Sequence, residues 1–443
     1  MSLQEDKTNI AILGGGPAGL SAGYYARKNQ LDFTLYEASE KTGGNAVTFK
    51  SGDFYYDSGA HRFHDKIPEV TKEVKSLLGD SLKEINVPSQ IYHQGKYLDF
   101  PISPLNVIKN LGIRKCLSIG WEVLGQRSNG DPNNFKSATI NKYGRTLAES
   151  FLLNYSEKLW GIASDQLSVK VSGKRLEGLT IKTLLKEVIG GNSIKTKHLD
   201  GSFYYPDLGI GQIMDCLAEK CGSENIKLNK RVSKISHENF IPGSIEFTDG
   251  SSTKSDQIIS TLPISILLEI LDPLPPTEIL SIARSLNFRN IKLVAFFLDK
   301  DQISNNASLY FPDSKLPFTR IYEPKNRSVK MAPTGKTSLI VELPCFETDQ
   351  IWNETDHVII ESIKSQLIQL SFIEEKDVIN AEVRNIKNAY PVLEKDVDEK
   401  LLEIDKYLSQ FKNLHLIGRS GTYQYNHIHD LMYSGKMIIE SSL

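Results

Sequence analysis

The sequence has 443 residues, of which 40% are hydrophobic and 24% charged, as in ordinary globular proteins with two or three domains. A formal net charge of -2 gives no overall attraction to nucleic acid or to anionic lipid. Four cysteines without a CxxC pair exclude a disulfide framework and a zinc ribbon. Because no stretch approaches the ~20 apolar residues of a membrane span and the N-terminus lacks a basic signal region, we expect a cytoplasmic protein without a transmembrane segment.

Apolar runs and helical periodicity predict strands and helices along most of the chain. The predicted strands are residues 9–13, 33–37, 54–57, 231–236, 245–248, 257–261, 292–298, 338–343 and 414–417. The predicted helices follow the first strand and cover residues 146–160, 210–221, 356–370 and 429–441. No linker rich in Gly, Ser or Pro divides the chain, so domain boundaries must come from motifs.

The first predicted strand ends in the glycine-rich sequence GGGPAGLSAG. Gly14, Gly16 and Gly19 form the pattern G-x-G-x-x-G, which encloses Pro17 and Ala18. The first glycine of such a pattern permits a tight turn, the second lets the backbone approach a pyrophosphate, and the third lets helix and strand pack closely. The N-terminus of the helix adds free N–H groups for the phosphates. The motif therefore predicts a dinucleotide site.

Glu37 closes the second predicted strand, eighteen residues after Gly19. An acidic side chain at this distance accepts hydrogen bonds from the hydroxyl groups of a ribose. The strand, the glycine turn, the helix and the acid together predict a βαβ dinucleotide-binding unit. Gly43, Gly44 and Asn45 follow in the spacing E-x5-GG.

This spacing and the segment GDFYYDSGAH at 52–61 resemble a flavoprotein superfamily that contains amine oxidases, protoporphyrinogen oxidases and UDP-galactopyranose mutases. Segments 151–161, 203–211, 318–326 and 418–430 extend the resemblance over essentially the whole chain. The resemblance implies FAD, bound between both chain ends. Without a cysteine in 418–425, we expect the FAD to be noncovalent. The implied FAD contacts are Gly14, Gly16, Pro17, Ala18, Gly19, Glu37, Gly43, Gly44, Asn45, His61, Val232, Gly418, Arg419 and Tyr425.

The same resemblance implies an α/β fold. It consists of a Rossmann-like FAD-binding domain of the glutathione-reductase type, discontinuous in sequence, with an inserted mixed α+β substrate domain. We expect the FAD domain to comprise residues 1–70, 200–265 and 405–443 and the substrate domain to comprise 71–199 and 266–404.

The candidate catalytic and substrate residues come from likeness to the mutases. Arg320 resembles an arginine that neutralises a substrate diphosphate, and Tyr423 and Tyr425 resemble tyrosines that bind it. His61 or His64 is expected against the flavin, although His64 fits a structural role equally well. Trp160 is expected either near the sugar or in the core. No carboxylate with ligand spacing accompanies His64, His427 and His429, so no metal is expected.

The leading functional hypothesis is an FAD-dependent oxidoreductase that passes a hydride from a small-molecule substrate, in one version a nucleotide-sugar, to flavin N5. The alternative is a redox-neutral mutase, in which reduced flavin N5 attacks the anomeric carbon of a UDP-sugar. A flavoprotein without catalysis ranks third. Residues 425–430 depart from the mutase sequence Tyr-Tyr-Asp-Met, which favours the oxidoreductase. Neither nucleic acid nor an internal nicotinamide domain is expected, and the oligomeric state stays open.

Overall fold

The computed structural model describes residues 8–100, Glu122, 133–171 and 202–442. Its strands are β1 Asn9–Leu13, β2 Asp32–Tyr36, β3 Thr48–Ser51, β4 Phe54–Asp57, β5 Leu82–Ile85, β6 Ser89–His93, β7 Lys96–Phe100, β8 Phe203–Pro206, β9 Ile226–Lys227, β10 Val232–Glu238, β11 Ile241–Phe247, β12 Ser252–Thr253, β13 Gln257–Ser260, β14 Leu271–Asp272, β15 Phe288–Leu298, β16 Ser308–Tyr310, β17 Arg320–Tyr322, β18 Thr337–Cys345, β19 Val378–Pro391 and β20 Leu414–Leu416.

The α-helices of the described residues are Pro17–Lys28, Pro68–Leu78, Phe135–Tyr143, Arg145–Leu147, Asn154–Trp160, Gly211–Cys221, Ile264–Glu269, Thr277–Arg284, Gln350–Asn353, Asp356–Gln369, Val397–Leu408 and Ile428–Ser442. A π-helical segment, Ala148–Leu153, joins two of them. Short 3-10 helices are Gly79–Ser81, Ser223–Asn225, Pro324–Asn326, Val329–Met331 and Glu375–Asp377. Within the described ranges, no helix is both long and apolar enough to cross a membrane.

A five-stranded sheet has the strand order β20-β13-β1-β2-β9, and all of its strands run parallel. Successive side chains of β1 point to opposite faces: Ile10 and Ile12 join one apolar core, and Ala11 and Leu13 join another. Both faces are therefore buried, as is usual for a parallel sheet. Helices Pro17–Lys28, Gly211–Cys221 and Ile428–Ser442 supply the first of these cores.

A second, mixed sheet has seven strands, in the order β19-β15-β18-β17-β16-β6-β7. The interior strand β18 is buried along its whole length, and its neighbour β15 is buried except at Phe288. The helix Asp356–Gln369 packs its Ile359, Ile363 and Leu367 against one face. Two aromatic residues of β4, Phe54 and Tyr56, pack on the other. Strand β4 leads directly into the segment 58–61, which carries the predicted flavin contact.

The predicted fold class is confirmed: a Rossmann-like parallel sheet combined with a mixed α+β unit. The parallel sheet draws its strands from residues 9–36, 226–260 and 414–416, while the exact domain boundaries stay a prediction. Residues 101–121, 123–132 and 172–199 of the predicted insertion, and residues 200–201 of the predicted FAD domain, lie outside the described residues. The helical structure predicted for 146–160 is present, with the π-helical segment Ala148–Leu153 between two α-helical ones.

Candidate active site

The glycine loop lies between β1 and the helix Pro17–Lys28. The Gly14 N–H donates to the Tyr36 carbonyl at 2.8 Å, and the φ of Gly14, +102°, favours glycine. A Cβ at Gly14 would lie 2.2 Å from Thr261 Oγ1, and one at Gly19 would lie 2.0 Å from Gly14 O. Both glycines are therefore required by the protein itself, and Pro17 starts the helix with its fixed φ.

The second glycine pair lies directly against the first loop. The Gly43 N–H donates to Gly15 O at 2.8 Å, and a Cβ at Gly44 would lie 3.0 Å from Gly16 Cα. A Cβ at Gly16 would instead meet nothing closer than Gly44 Cα at 3.9 Å. The free side of Gly16 thus borders space that the protein leaves open, and this cradle fits the pyrophosphate of a dinucleotide.

Glu37 is a buried carboxylate that holds this cradle from the end of β2. Its Oε2 accepts the Gly15 N–H at 2.7 Å, and its Oε1 accepts the Ser39 N–H at 2.9 Å and the Ser39 hydroxyl at 2.7 Å. The Lys230 N–H donates to the Glu37 carbonyl at 2.8 Å. The carboxylate therefore anchors the loop, and the ribose contact that its sequence spacing indicates stays a prediction.

Val232 follows Lys230 at the start of β10 and pairs with Phe247. It is partly buried beside Tyr36 and Phe247, whose rings lie 4.7 Å apart. The structure thus brings Val232 to the Glu37 end of the parallel sheet, where an adenine is expected. Its backbone contact with adenine stays a prediction.

The C-terminal strand and helix cover the glycine loop. A Cβ at Gly418, whose φ is +87°, would lie 3.6 Å from the Ala18 Cβ. A Cβ at Gly435 would lie 2.5 Å from Ala18 O, and the Ser21 hydroxyl donates to Met432 O at 2.7 Å. Both chain ends therefore build one site.

Asn45, which follows the second glycine pair, and His61 form the next part of the candidate site. The Ser58 hydroxyl donates to Asn45 O at 2.9 Å and lies 3.4 Å from His61 Nε2. The Asn45 amide donates to Lys387 O at 3.1 Å. Burial, together with the nearby guanidinium groups of Arg419, Arg320 and Arg327, lowers the pKa of His61 to about 3. His61 is consequently a neutral imidazole at physiological pH.

Arg419 adds a positive charge to the part of the site that contains Asn45 and His61. Its Nε and Nη2 donate to Asn426 O at 3.0 and 2.6 Å, and its Nη1 donates to Ala389 O at 3.0 Å. Its guanidinium lies 5.2 Å from the centre of the Tyr425 ring. In the part of the chain that the structure describes, Arg419 has no carboxylate partner, so its charge stays uncompensated.

Arg320 forms a two-point ion pair with Glu342 on the neighbouring strand. Its Nε donates to Glu342 Oε2 at 2.7 Å and its Nη2 to Oε1 at 2.8 Å. Burial alone lowers the pKa of Arg320, but the Glu342 carboxylate overrides this effect and raises it. The sequence analysis missed Glu342, because only the β17–β18 register places it opposite Arg320.

An aromatic cluster lies beside these arginines. The Trp160 ring lies 5.7 Å from Tyr425 and 5.9 Å from Tyr390, and Tyr425 lies 5.7 Å from His427. Trp160 is 3% exposed, which agrees with the core alternative for this residue. Tyr390, which no sequence motif marked, completes the cluster.

His64 lies among aromatic rings. It is 6.1 Å from His427, 6.4 Å from His429 and 6.4 Å from Phe203, measured between ring centres. Among the described residues, no group of three or more His, Cys, Asp or Glu side chains is arranged to hold a metal ion. The role of His64 toward flavin stays a prediction.

Tyr423 does not line the site. It is 1% exposed, and its hydroxyl donates to Asn287 O and Val392 O. Because both donor and ring are enclosed in the core, the position gives no support to diphosphate binding by Tyr423. Lys292 of β15 is likewise enclosed: it is 1% exposed, and its Nζ donates to Trp352 O and Glu354 O.

Comparison with known proteins gives the family. The family model described as "Flavin containing amine oxidoreductase" matches residues 17–430. Coproporphyrinogen III oxidase of Bacillus subtilis (strain 168) is 20% identical over 394 residues, covering 82% of this chain and 83% of that protein.

Solved structures show the same fold. A reduced UDP-galactopyranose mutase matches with a TM-score of 0.86 at 20% identity, covering 98% of this chain and 95% of the mutase. A putrescine oxidase triple mutant matches with a TM-score of 0.64 at 14% identity, covering 98% of each chain. With the glycine cradle, the Glu37 anchor and the match of residues 17–430, the chain belongs to the flavin containing amine oxidoreductase family and is an FAD-dependent oxidoreductase.

Proposed function

We propose that the enzyme oxidises an anionic small molecule, with a nucleotide-sugar as the substrate class to test first. The observation that carries this proposal is the charge beside His61: three guanidinium groups act on its imidazole. Of these, Arg320 is balanced by Glu342, whereas Arg419 contacts backbone carbonyls. A positive site attracts an anionic substrate and disfavours a cationic amine.

Bound FAD supplies a hydride acceptor at its N5 atom. The chain's own residues bind and orient it: the Gly14–Gly19 loop with Gly43 and Gly44 for the pyrophosphate, Glu37 for the ribose, and Gly418 with Arg419 as the cover. His61, neutral because its pKa is lowered to about 3, offers hydrogen bonds without adding charge. A noncovalent cofactor and a cytoplasmic location stay predictions, and the oligomeric state stays open.

A redox-neutral mutase is the second candidate, and the surroundings of Arg320 favour it. The phenol groups of Tyr155, Tyr310 and Tyr390 lie close enough to influence the Arg320 guanidinium. Arginine with phenolic donors suits a diphosphate. Against this candidate, Tyr423 is enclosed in the core.

Anaerobic stopped-flow mixing of the oxidised enzyme with UDP-sugars and with a carboxylated porphyrinogen tests the proposal. Bleaching of the flavin band by one of them would support oxidation of an anionic substrate. Isomerisation of a UDP-sugar only after dithionite reduction, with no bleaching, would replace the proposal by the mutase. Bleaching by amines alone would refute both.

Arg320→Ala gives a second test. Loss of a charge-assisted contact should raise the substrate Kd about 10-fold or more while the flavin spectrum stays unchanged. Arg284→Ala is the matched control, because Arg284 forms its ion pair with Glu269 on the exposed surface. Equal effects of the two variants on the substrate Kd would refute the assignment of Arg320 to the substrate site.

A further inference from the structure

Glu342 lies where two parts of the site meet. It is 2% exposed in the middle of β18, directly opposite Arg320 of β17. Both of its oxygens accept from the Arg320 fork, at 2.7 and 2.8 Å. A buried ion pair of this geometry is held in one orientation, because either charge without the other would be costly.

The same carboxylate also holds the turn that precedes His61. Its Oε1 accepts the Ala60 N–H at 2.8 Å, and the His61 N–H donates to Gly59 O at 2.7 Å within this turn. A Cβ at Gly59 would lie 3.6 Å from Glu342 Oε1 and 3.6 Å from His61 Nε2. Glu342 and the imidazole thus border the same side of Gly59, and Glu342 is also bonded to Arg320.

We propose that Glu342 is a positioning residue: it orients Arg320 and the 59–61 turn together, and its charge balances Arg320 beside the flavin. The inference rests on the proposed function, in which the turn faces FAD. In a water-poor site, an unbalanced charge acts strongly on a nearby redox group. The pair therefore adds no net charge of its own to the site until an anionic substrate binds Arg320.

The test is the midpoint potential of FAD in the purified FAD-loaded enzyme, measured without substrate. Glu342→Gln removes a negative charge and should shift the potential upward, because reduced flavin is anionic. Arg320→Met removes a positive charge and should shift it downward. The double variant should return toward the wild-type potential, since neutrality is restored.

A purely structural role would predict something different. It would move both single variants in the same direction, or not at all, and either result would overturn the inference. Asp349→Asn is the matched control: Asp349, just beyond the end of β18, pairs with Arg289 of β15 at 3.0 Å, and its loss should leave the potential unchanged.

Arg320→Lys covers the case in which the charge-removing variants do not fold. Lysine keeps the charge but loses the fork, so the potential should stay near wild type while the substrate Kd rises. A downward shift would overturn the inference. A protein that binds no FAD would instead refute the proposed function, so the two failures are distinguishable.

Discussion

Glu37→Ala measures what the buried carboxylate contributes to FAD binding. Three protein donors already occupy it: the Gly15 N–H on Oε2, and the Ser39 N–H and hydroxyl on Oε1. An ionised carboxylate has about four acceptor positions, so one position on Oε2 remains for a ribose hydroxyl. The structure thus predicts one new hydrogen bond from FAD to this side chain.

A hydrogen bond to a charged group contributes about 1.5–3 kcal/mol. Because about 1.4 kcal/mol changes a dissociation constant tenfold, the Kd of FAD in Glu37→Ala should rise about 10- to 150-fold. Titration of the apoprotein with FAD, followed by flavin fluorescence, measures this constant. Glu37→Gln keeps one carbonyl acceptor and should give an intermediate value.

Two controls separate the ribose contact from the loop contact. Glu40→Ala changes an exposed acid three residues further along and should leave the Kd unchanged. Ser39→Ala removes a donor from Oε1 without touching Oε2, and it should change the Kd little. A wild-type Kd in Glu37→Ala would refute the assignment of Glu37 to the ribose.

Three further predictions concern the cradle, the core and pH. Gly16→Val should abolish FAD binding but keep the thermal stability of the apoprotein. Gly19→Ala should lower that stability, because its Cβ would lie 2.0 Å from Gly14 O. Flavin content measures FAD binding by both variants, and differential scanning fluorimetry measures their thermal stability. Tyr423→Phe should cost about 1–3 kcal/mol in urea unfolding, since two buried carbonyls lose their donor, with substrate affinity unchanged. The lowered pKa of His61, from 6.5 to about 3, stabilises the fold above about pH 6.5, and this contribution should be lost as pH falls toward 3. In His61→Gln, the free energy of unfolding should therefore fall less steeply with pH over that range.

The local parts of the site were predictable from the sequence. The βαβ unit is encoded by neighbouring residues, and β1 and β4 have the predicted bounds. The roles of the three motif glycines, Gly14, Gly16 and Gly19, can be predicted because backbone conformation and close approach exclude other residues there. The π-helical segment within 146–160 was not predictable, since its apolar spacing resembles that of an α-helix.

The long-range parts of the site were not predictable. Glu342 lies 22 residues from Arg320 and 282 residues from Ala60, and no local pattern marks an acid that two distant segments share. Tyr423 resembles a binding residue in sequence, yet its hydroxyl reaches Asn287, which is 136 residues away. A motif identifies a residue type, whereas strand register and packing decide which way its side chain points.

The interlocked chain ends affect the order of events during biosynthesis. The glycine loop leaves the ribosome roughly 400 residues before Gly418 and Gly435, which cover it. Until then the parallel sheet lacks its edge strand β20, and the helix Pro17–Lys28 has no partner for the Ser21 hydroxyl. The complete FAD site can therefore form only after residues 418–435 have been synthesised.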